Sequence, residues 1–200
     1  LYVDVMGGIT DPFQDLLQEL KNHEGAREVA KQLRSLLGNS KLAQPIKKSK
    51  KVQDYYSIRC LPQILGPHLE LSELLKVWVT NELNSANDNP LIDWRNKKVL
   101  HGGNFSGFYI GLGMDITKIL LAHLANLEQT MIDRVLDHEK NHVLPPSLAQ
   151  KEPGFNSGFK GVGISSGSYF AEIVQRSFSH SVLSRPFESG NQDMVSFGTL

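Results

Sequence analysis

The chain has 200 residues, which is enough for one domain or one and a half and for a substantial buried core. Its 21 Lys and Arg residues balance 21 Asp and Glu residues, so the net charge is zero and implies no polyanionic partner such as nucleic acid. The single cysteine, Cys60, excludes an internal disulfide and fits a reducing cytoplasm. We expect no membrane association, because there is no signal-peptide pattern and no apolar run approaches the ~18 residues of a membrane span.

Two helical segments are predicted before residue 90. The first covers residues 11–37, where an Asp-Pro pair is typical of a helix start and Gly25 is expected to interrupt the pattern. A basic linker that contains a proline follows over residues 39–52. The second helix covers residues 69–86, where leucine, valine and tryptophan recur at helical spacing until an Asn-Asp-Asn-Pro sequence ends the pattern.

The second half of the chain predicts two more helices. Residues 91–104 are short and turn-rich, with a loop expected over 93–98. Residues 110–139 form a long helical pattern that would span roughly 40 Å, a length typical of helical bundles. An irregular segment with several prolines covers residues 141–160, and a last helix is predicted over 161–184.

The predicted fold class is all-α: a bundle of long helices with irregular polar segments between them. No period-2 strand pattern of any length is present. We divide the chain into N-terminal helices with the basic linker (1–52) and a central helical core (53–200). Because the first residue is Leu1 and the last residues read as the middle of an element, we expect a piece of a longer protein.

Several polar side chains lie close together at the start of the central helical core. On a helix, Gln53, Tyr56 and Arg59 would share one face, since they are three residues apart. The guanidinium of Arg59 is always charged and offers a planar fork of donors that suits a carboxylate. Such a face could bind an amino acid. This segment alone is also compatible with a surface helix whose arginine is solvated.

Six short motifs follow one another along the chain. They are Gln-Asp-Tyr-Tyr-Ser-Ile-Arg-Cys-Leu-Pro-Gln-Ile-Leu-Gly-Pro (53–67), Asn-Ser-Ala-Asn-Asp-Asn-Pro-Leu-Ile-Asp (84–93), His-Gly-Gly-Asn-Phe (101–105), Leu-Pro-Pro-Ser-Leu (144–148), Asn-Ser-Gly-Phe (156–159) and Asn-Gln-Asp-Met-Val-Ser-Phe-Gly (191–198). Their order and spacing resemble those of the aromatic amino acid ammonia-lyases, a family that includes histidine, phenylalanine and tyrosine lyases and related aminomutases. Each motif alone is weak, but six in order are specific.

The resemblance implies elimination of ammonia from an aromatic amino acid to give an α,β-unsaturated acid. Such enzymes use an electrophilic methylidene-imidazolone, made from an internal Ala-Ser-Gly, to activate the amino group or, in an older proposal, the ring. A tyrosine base then removes a β-proton. The precursor and the base lie in an N-terminal part that we expect to be absent here, and the near match Ser165-Ser166-Gly167 is interpreted as helix packing. The resemblance also implies a homotetramer with shared active sites.

Four residues are expected to bind the substrate by this resemblance. Arg59 matches the arginine that pairs with the substrate carboxylate, where a bidentate pair would fix position and plane. Phe105 matches the phenylalanine that packs by the electrophile. Asn191 and Gln192 match polar residues around the electrophile and the substrate.

Three residues are expected to serve the chemistry. Tyr56 matches the tyrosine that hydrogen-bonds near the electrophile and helps its formation, and Gln53 matches an active-site glutamine. Glu188 resembles a glutamate of phenylalanine lyases just upstream of the Asn-Gln pair, where a carboxylate holds the ammonium or takes a proton. A surface residue before a turn is the other interpretation of Glu188.

No metal site is predicted. His138 and His142 are four residues apart, which one helix face could bring together, but no third ligand is in view. Cys60 is expected to be packed and inert. Tyr55 departs from histidine lyases, which usually have a small residue or proline there, whereas residues 84–115 are closer to the phenylalanine branch. The aromatic substrate therefore stays open.

Two classes of function remain at this point. The first is the central part of a cytoplasmic aromatic amino acid ammonia-lyase, inactive alone for want of the electrophile. A 2,3-aminomutase of the same family is a variant of this interpretation. The second is a non-catalytic helical scaffold or assembly fragment.

Overall fold

The computed structural model describes residues 1–141, 144–186 and 190–196. Within those ranges the chain forms eight α-helices and one two-stranded sheet. The helices are α1 (Tyr2–Val5), α2 (Asp15–Lys21), α3 (Glu24–Leu37), α4 (Tyr56–Arg59), α5 (Leu61–Leu83), α6 (Phe108–Leu136), α7 (His138–Asn141) and α8 (Lys160–Arg176), and the strands are β1 (Leu91–Asp93) and β2 (Lys98–Leu100). The prediction of a helical fold with long helices is confirmed.

The break in the first predicted helical segment lies at Asn22 and not at Gly25. Asn22 follows α2 with a left-handed φ of 59° and ends that helix. Gly25 is buried in the first turn of α3, where its N–H donates to Oε1 of Glu70 at 2.7 Å. A Cβ on Gly25 would overlap the backbone of Gly66 in α5. The predicted interruption at Gly25 is wrong, because the missing side chain allows two helices to approach.

Helix α5 begins eight residues before the predicted start at residue 69. It opens with Leu61 and Pro62 and continues through Pro67 to Leu83. Proline is well suited to the first turn of a helix, where its missing N–H has no partner to lose. Pro67 lies inside the helix and costs one backbone hydrogen bond. Two prolines within seven residues therefore hide the first turns of this helix in the sequence.

The segment predicted as turn-rich contains a short β-hairpin. Leu91 pairs with Leu100 and Asp93 pairs with Lys98. The Asp93 carboxylate accepts the backbone N–H of Arg95 at 3.2 Å and completes the tight turn. The loop lies where the sequence predicts it, but strands of three residues each are too short to show a period-2 pattern.

Helix α6 is the longest element, with 29 residues close to the predicted range of 110–139. By length and composition alone it is apolar enough to cross a membrane, with a mean hydropathy of 1.3 over its most apolar window, and it is the one such helix in the described residues. One helix of this kind is weak support for a membrane span, because long core helices of helical bundles have the same composition.

The described residues form two compact units. The first unit comprises Leu1–Leu71 and His123–Ile173, and the second comprises Ser72–Ala122 and the chain from Val174 onward. The core of the first unit contains side chains from both sides of residue 52, which are Val3, Met6, Phe13, Ala30, Leu37, Ala43, Ile58 and Leu61. The predicted division of the chain at residue 52 stays a prediction about its organisation.

In the second unit, Asp115 of α6 organises the chain that follows α8. Its buried carboxylate accepts the backbone N–H groups of His180 (3.0 Å) and Ser181 (2.8 Å) and pairs with Lys118 at 2.7 Å. The helix predicted to run to residue 184 therefore ends at Arg176, because Asp115 captures the amides of the next turn. Burial alone would raise the pKa of Asp115, but these hydrogen bonds outweigh it and hold the pKa well below its ordinary value.

We expect Asp115→Asn to destabilise the second unit by about 3 kcal/mol, because it leaves Lys118 and two backbone amides without a buried anion. Because the pKa of Asp115 is lower in the folded than in the unfolded protein, its contribution to the free energy of unfolding is present above pH ~4. This contribution is lost as the pH falls below that value. Hydrogen exchange of the His180 and Ser181 amides in the full-length protein would measure the loss. Asp15→Asn is the matched control: Asp15 is exposed and pairs with Arg34 at the surface. Unchanged protection of both amides would contradict the prediction.

Candidate active site

Asp54 ties the chain before α4 to the N-terminal segment. Its buried carboxylate accepts the backbone N–H of Ile9 and pairs with Lys51 at 3.1 Å. The ammonium of Lys51 also donates to the carbonyl oxygen of Met6 at 2.9 Å. A buried carboxylate needs such partners, so this cluster fixes the backbone next to Gln53.

Helix α4 is one turn long and is held by its buried side. Ile58 is fully buried in the core, and the hydroxyl of Ser57 lies 3.0 Å from the hydroxyl of Tyr2. Because these two positions face inward, Tyr56 and Arg59 are left facing outward. Tyr56 is 68% exposed and Arg59 is half-buried. The local sequence thus presents a phenol and a guanidinium at the surface of the first unit.

The predicted helical face is present for two of its three residues. The guanidinium carbon of Arg59 lies 4.7 Å from the centre of the Tyr56 ring, within cation–π distance. Gln53 precedes the helix and does not share its face, because Tyr55 is extended (φ −63°, ψ 160°) and Asp54 is anchored to Ile9. That part of the prediction is wrong.

Gln53 and Arg59 nevertheless line the same cavity, an open space of about 680 Å³ in the first unit. Cys60 is half-buried and lines this cavity as well, and the expectation that its thiol is packed and inert stays a prediction. The Gln63 side chain at the cavity wall donates to the buried Oε1 of Gln18 at 2.9 Å. The cavity therefore has a polar side with amides and a guanidinium.

Arg59 has no anionic partner among the described residues. No described carboxylate lies within 4 Å of its guanidinium, and its Nε is buried without a hydrogen-bond partner in that part of the chain. Buried donors are rarely left unpaired. A guanidinium in this state, at the wall of an open cavity, is suited to bind the carboxylate of a ligand.

Tyr56 lines a second, smaller cavity of about 280 Å³ in the same unit. Its neighbours there include Ser57, His123, Asn126 and Thr130. The hydroxyl of Tyr56 bonds to none of the described residues and is available to a ligand. The ring of Tyr56, stacked under Arg59, is the contact between the two groups.

The other predicted residues belong to the second unit. Phe105 is 63% exposed, and Asn191 and Gln192 are also exposed. The N–H of Gly107 donates to Oγ of Ser196 at 3.2 Å. This bond brings the segment that carries Phe105 next to the segment that carries the Asn-Gln pair. Glu188 lies outside the described residues, so its predicted role stays a prediction.

The described residues contain no group of three or more His, Cys, Asp or Glu side chains that could hold a metal ion. His138 pairs with Glu139 at 2.9 Å. His142 lies outside the described part of the chain.

Two residues that shape this site are not among the predicted ones. Asp54 anchors the entry to α4, and its place in the first motif is the only signal for it. Arg134 on α6 has its guanidinium carbon 3.5 Å from the centre of the Tyr55 ring. Nothing local in the sequence links Arg134 to Tyr55, because a contact between distant segments requires the fold.

The comparisons with known proteins agree with the motifs. A family model described as aromatic amino acid lyase matches residues 1–200. A histidine ammonia-lyase from Natranaerobius thermophilus is 36% identical over 198 residues, which cover 99% of this chain and 39% of the relative. A tyrosine 2,3-aminomutase from Chondromyces crocatus is 33% identical, with 99% of this chain and 41% of the relative covered.

The fold comparison gives the same result. The structure of the Pantoea agglomerans phenylalanine aminomutase has a TM-score of 0.90 and 35% sequence identity, and the match covers 98% of this chain and 42% of that one. The chain thus spans about two fifths of the length of the curated relatives it matches. With a family model that matches every residue, the resemblance read from the six motifs is confirmed, and the chain belongs to the aromatic amino acid lyase family.

Proposed function

We propose that the protein to which this chain belongs is a carbon–nitrogen lyase that removes ammonia from an aromatic L-amino acid and releases the α,β-unsaturated acid. The observation that carries the proposal is the state of Arg59. Its guanidinium lines an open cavity beside Gln53, is stacked on Tyr56, and has no carboxylate partner among the described residues. An amino acid substrate would supply that carboxylate.

Each predicted residue has a role in this proposal. Arg59 binds the substrate carboxylate through two parallel hydrogen bonds, which also fix the substrate plane. The phenol of Tyr56, which faces the second cavity, has the role that the resemblance implies, a hydrogen bond near the electrophile, and Gln53 supplies an amide at the cavity that Arg59 lines. Phe105 has the role that the resemblance implies, which is packing by the electrophile.

Three more residues have roles that the resemblance implies. Asn191 and Gln192 supply amides around the substrate, and Glu188 holds the ammonium or takes a proton. A methylidene-imidazolone would supply the electrophile that makes the amino group a leaving group. No Ala-Ser-Gly, the precursor in such lyases, occurs in these 200 residues. The unpaired donors of Arg59 and Tyr56 fit a site beside such a group, and the proposal assigns no metal to it.

The whole protein is proposed to be a cytoplasmic homotetramer with active sites shared between subunits. Large apolar side chains on the long helices support burial in an assembly. Leu121 of α6 is 53% exposed, and Tyr169 of α8 is 67% exposed. Native mass spectrometry of the full-length protein would measure its subunit number.

The test of the function is an assay of the full-length protein with L-histidine, L-phenylalanine and L-tyrosine. An unsaturated acid, seen by its ultraviolet absorbance, with equimolar ammonia supports the lyase. The second candidate is a 2,3-aminomutase, which is favoured by the similarity to two aminomutases. It would give a β-amino acid without equimolar ammonia. If none of the three substrates gives either product, and the intact mass shows no dehydrated Ala-Ser-Gly, the scaffold alternative stands.

The purified 200-residue chain should release no ammonia from any of the three amino acids. It contains the proposed carboxylate-binding arginine but no Ala-Ser-Gly from which the electrophile is made. Ammonia release would be followed by an enzyme-coupled assay, with full-length protein at equal concentration as the positive control. Turnover by the short chain would show that the chemistry does not need that group.

A further inference from the structure

We propose that Arg134 is a positioning residue for Arg59 and acts by holding the ring of Tyr55. The inference rests on the proposed function, in which Arg59 binds the substrate carboxylate. All the residues involved belong to the first unit. Arg134 is far from Arg59 in the sequence, and none of the six motifs contains it.

The contact between Arg134 and Tyr55 is the tightest of the cation–π pairs in the described residues. The distance from the guanidinium carbon to the ring centre is 3.5 Å here, against 4.7 Å for Arg59 on Tyr56 and 5.3 Å for Arg95 on Trp94. Arg134 is half-buried, and no described carboxylate lies within 4 Å of it. The ring of Tyr55 is therefore the main partner that orders this cation.

Tyr55 in turn holds the backbone of Arg59. The carbonyl oxygen of Tyr55 accepts the N–H of Ile58 at 3.0 Å and the N–H of Arg59 at 2.9 Å. Helix α4 has only four residues, so it gains little stability from helix propagation and depends on its tertiary contacts. A rotation of Tyr55 would move both hydrogen bonds and, with them, the direction of the Arg59 side chain.

The other side of α4 is fastened near the same cation. The Tyr2 hydroxyl lies 3.0 Å from the Ser57 hydroxyl. Burial raises the pKa of Tyr2, while the bond to Ser57 and the positive charge of Arg134 oppose this rise. The positive charge of Arg134 thus acts on the phenol of Tyr2, while its guanidinium stacks on the ring of Tyr55, and these two contacts place this arginine where it can fix the short helix from α6.

Arg134 acts through Tyr55 and not on the ligand itself. Neither residue lines the cavity that Arg59 and Gln53 share. A substitution at Arg134 should therefore change the orientation in which Arg59 binds the substrate carboxylate, without removing any group that contacts the ligand. That distinction can be measured.

The test uses the full-length protein and compares substrate KM, kcat and, by calorimetry, the affinity for the unsaturated acid of the preferred amino acid, which is cinnamate for L-phenylalanine. Arg134→Met should raise KM and weaken binding of this acid by roughly 3- to 30-fold, the range that a stacked cation of this kind carries. Tyr55→Leu should give the same change and Tyr55→Phe, which keeps the ring, none. Arg134→Lys should recover part of the loss. The matched control is Arg95→Met, which removes a stacked arginine from the hairpin and should leave KM unchanged.

A double-mutant cycle separates positioning from an independent effect. In an Arg59→Lys background, Arg134→Met should add less than about 2-fold to KM, because the group that it positions is already altered. Full additivity would overturn the proposal. So would an unchanged KM with a lower kcat, which indicates a smaller fraction of folded enzyme. If wild-type protein makes product and Arg134→Met matches it in KM, only this inference fails; if wild-type protein makes no product from any of the three amino acids, the proposed function fails and this inference with it.

Discussion

Gly25→Ala should destabilise the first unit by about 2 kcal/mol or more, although alanine is the better helix former by about 1 kcal/mol. The added Cβ would overlap the carbonyl oxygen of Gly66 and lie 2.8 Å from its carbonyl carbon. Both atoms are backbone in α5 and cannot move aside as a side chain would. Overpacking of a rigid neighbour costs about 3 kcal/mol, so the clash outweighs the propensity gain.

The reciprocal change should have the same sign. A Cβ on Gly66 would lie 2.6 Å from the backbone nitrogen of Ala26, so Gly66→Ala also forces α3 and α5 apart. Gly161→Ala in α8 is the matched control, because a Cβ on Gly161 would have no neighbour within 4 Å among the described residues beyond the adjacent backbone of its own helix. This control should be neutral or slightly stabilising. Thermal denaturation of the full-length protein would measure all three, and equal midpoints for Gly25→Ala and wild type would refute the close approach.

Glycine and proline explain where the predicted helices depart from the structure. Gly25 looks like a break because its only visible property in the sequence is poor helix propensity, whereas its value lies in a contact with Gly66. The prolines at 62 and 67 mask the start of α5 for a related reason. Helix propensity gives the free-energy cost of a residue within its own helix. The packing contact that offsets this cost is made with a different helix, so the local sequence does not show it.

The candidate site also contains residues that a short segment of sequence predicts and residues whose role depends on contacts between distant segments. Arg59 and Tyr56 can be predicted because their functional groups and the motif that identifies them lie within one short segment of the sequence. In the structure, both side chains face outward from α4. The contribution of Arg134 depends on α6 passing beside Tyr55, which no spacing in the sequence reveals. Asp115 is comparable: its role in ending α8 needs the amides of His180 and Ser181, from a distant part of the chain.

Arg59→Lys in the full-length protein should raise substrate KM by roughly 10- to 100-fold. Lysine keeps the positive charge but offers a compact point charge in place of the planar fork, so one of two charge-assisted hydrogen bonds to the carboxylate is lost. A misplaced carboxylate also tilts the substrate relative to the electrophile, so kcat should fall as well. Steady-state kinetics with the preferred amino acid would measure both effects.

Arg27→Lys provides a closely matched control for this change. Like Arg59, Arg27 has a buried Nε without a hydrogen-bond partner in the described part of the chain, but its terminal nitrogens are paired with Glu24 (3.2 Å) and Asn22 (2.8 Å). The Arg27 guanidinium is thus occupied by protein partners, and its replacement should leave KM unchanged. If both substitutions alter KM equally, the effect is one of general packing.

A second measurement reports on the Arg59 cavity without any turnover. Cys60 is the only cysteine of this chain and lines the same cavity as Arg59. Cinnamate bound to Arg59 should slow alkylation of Cys60, followed by mass spectrometry of its peptide, and Arg59→Lys should abolish this protection. Protection that persists in Arg59→Lys would mean that the carboxylate is held elsewhere. An unchanged KM together with unchanged protection would remove Arg59 from substrate binding, and the unpaired guanidinium would then need a partner from another part of the full-length protein.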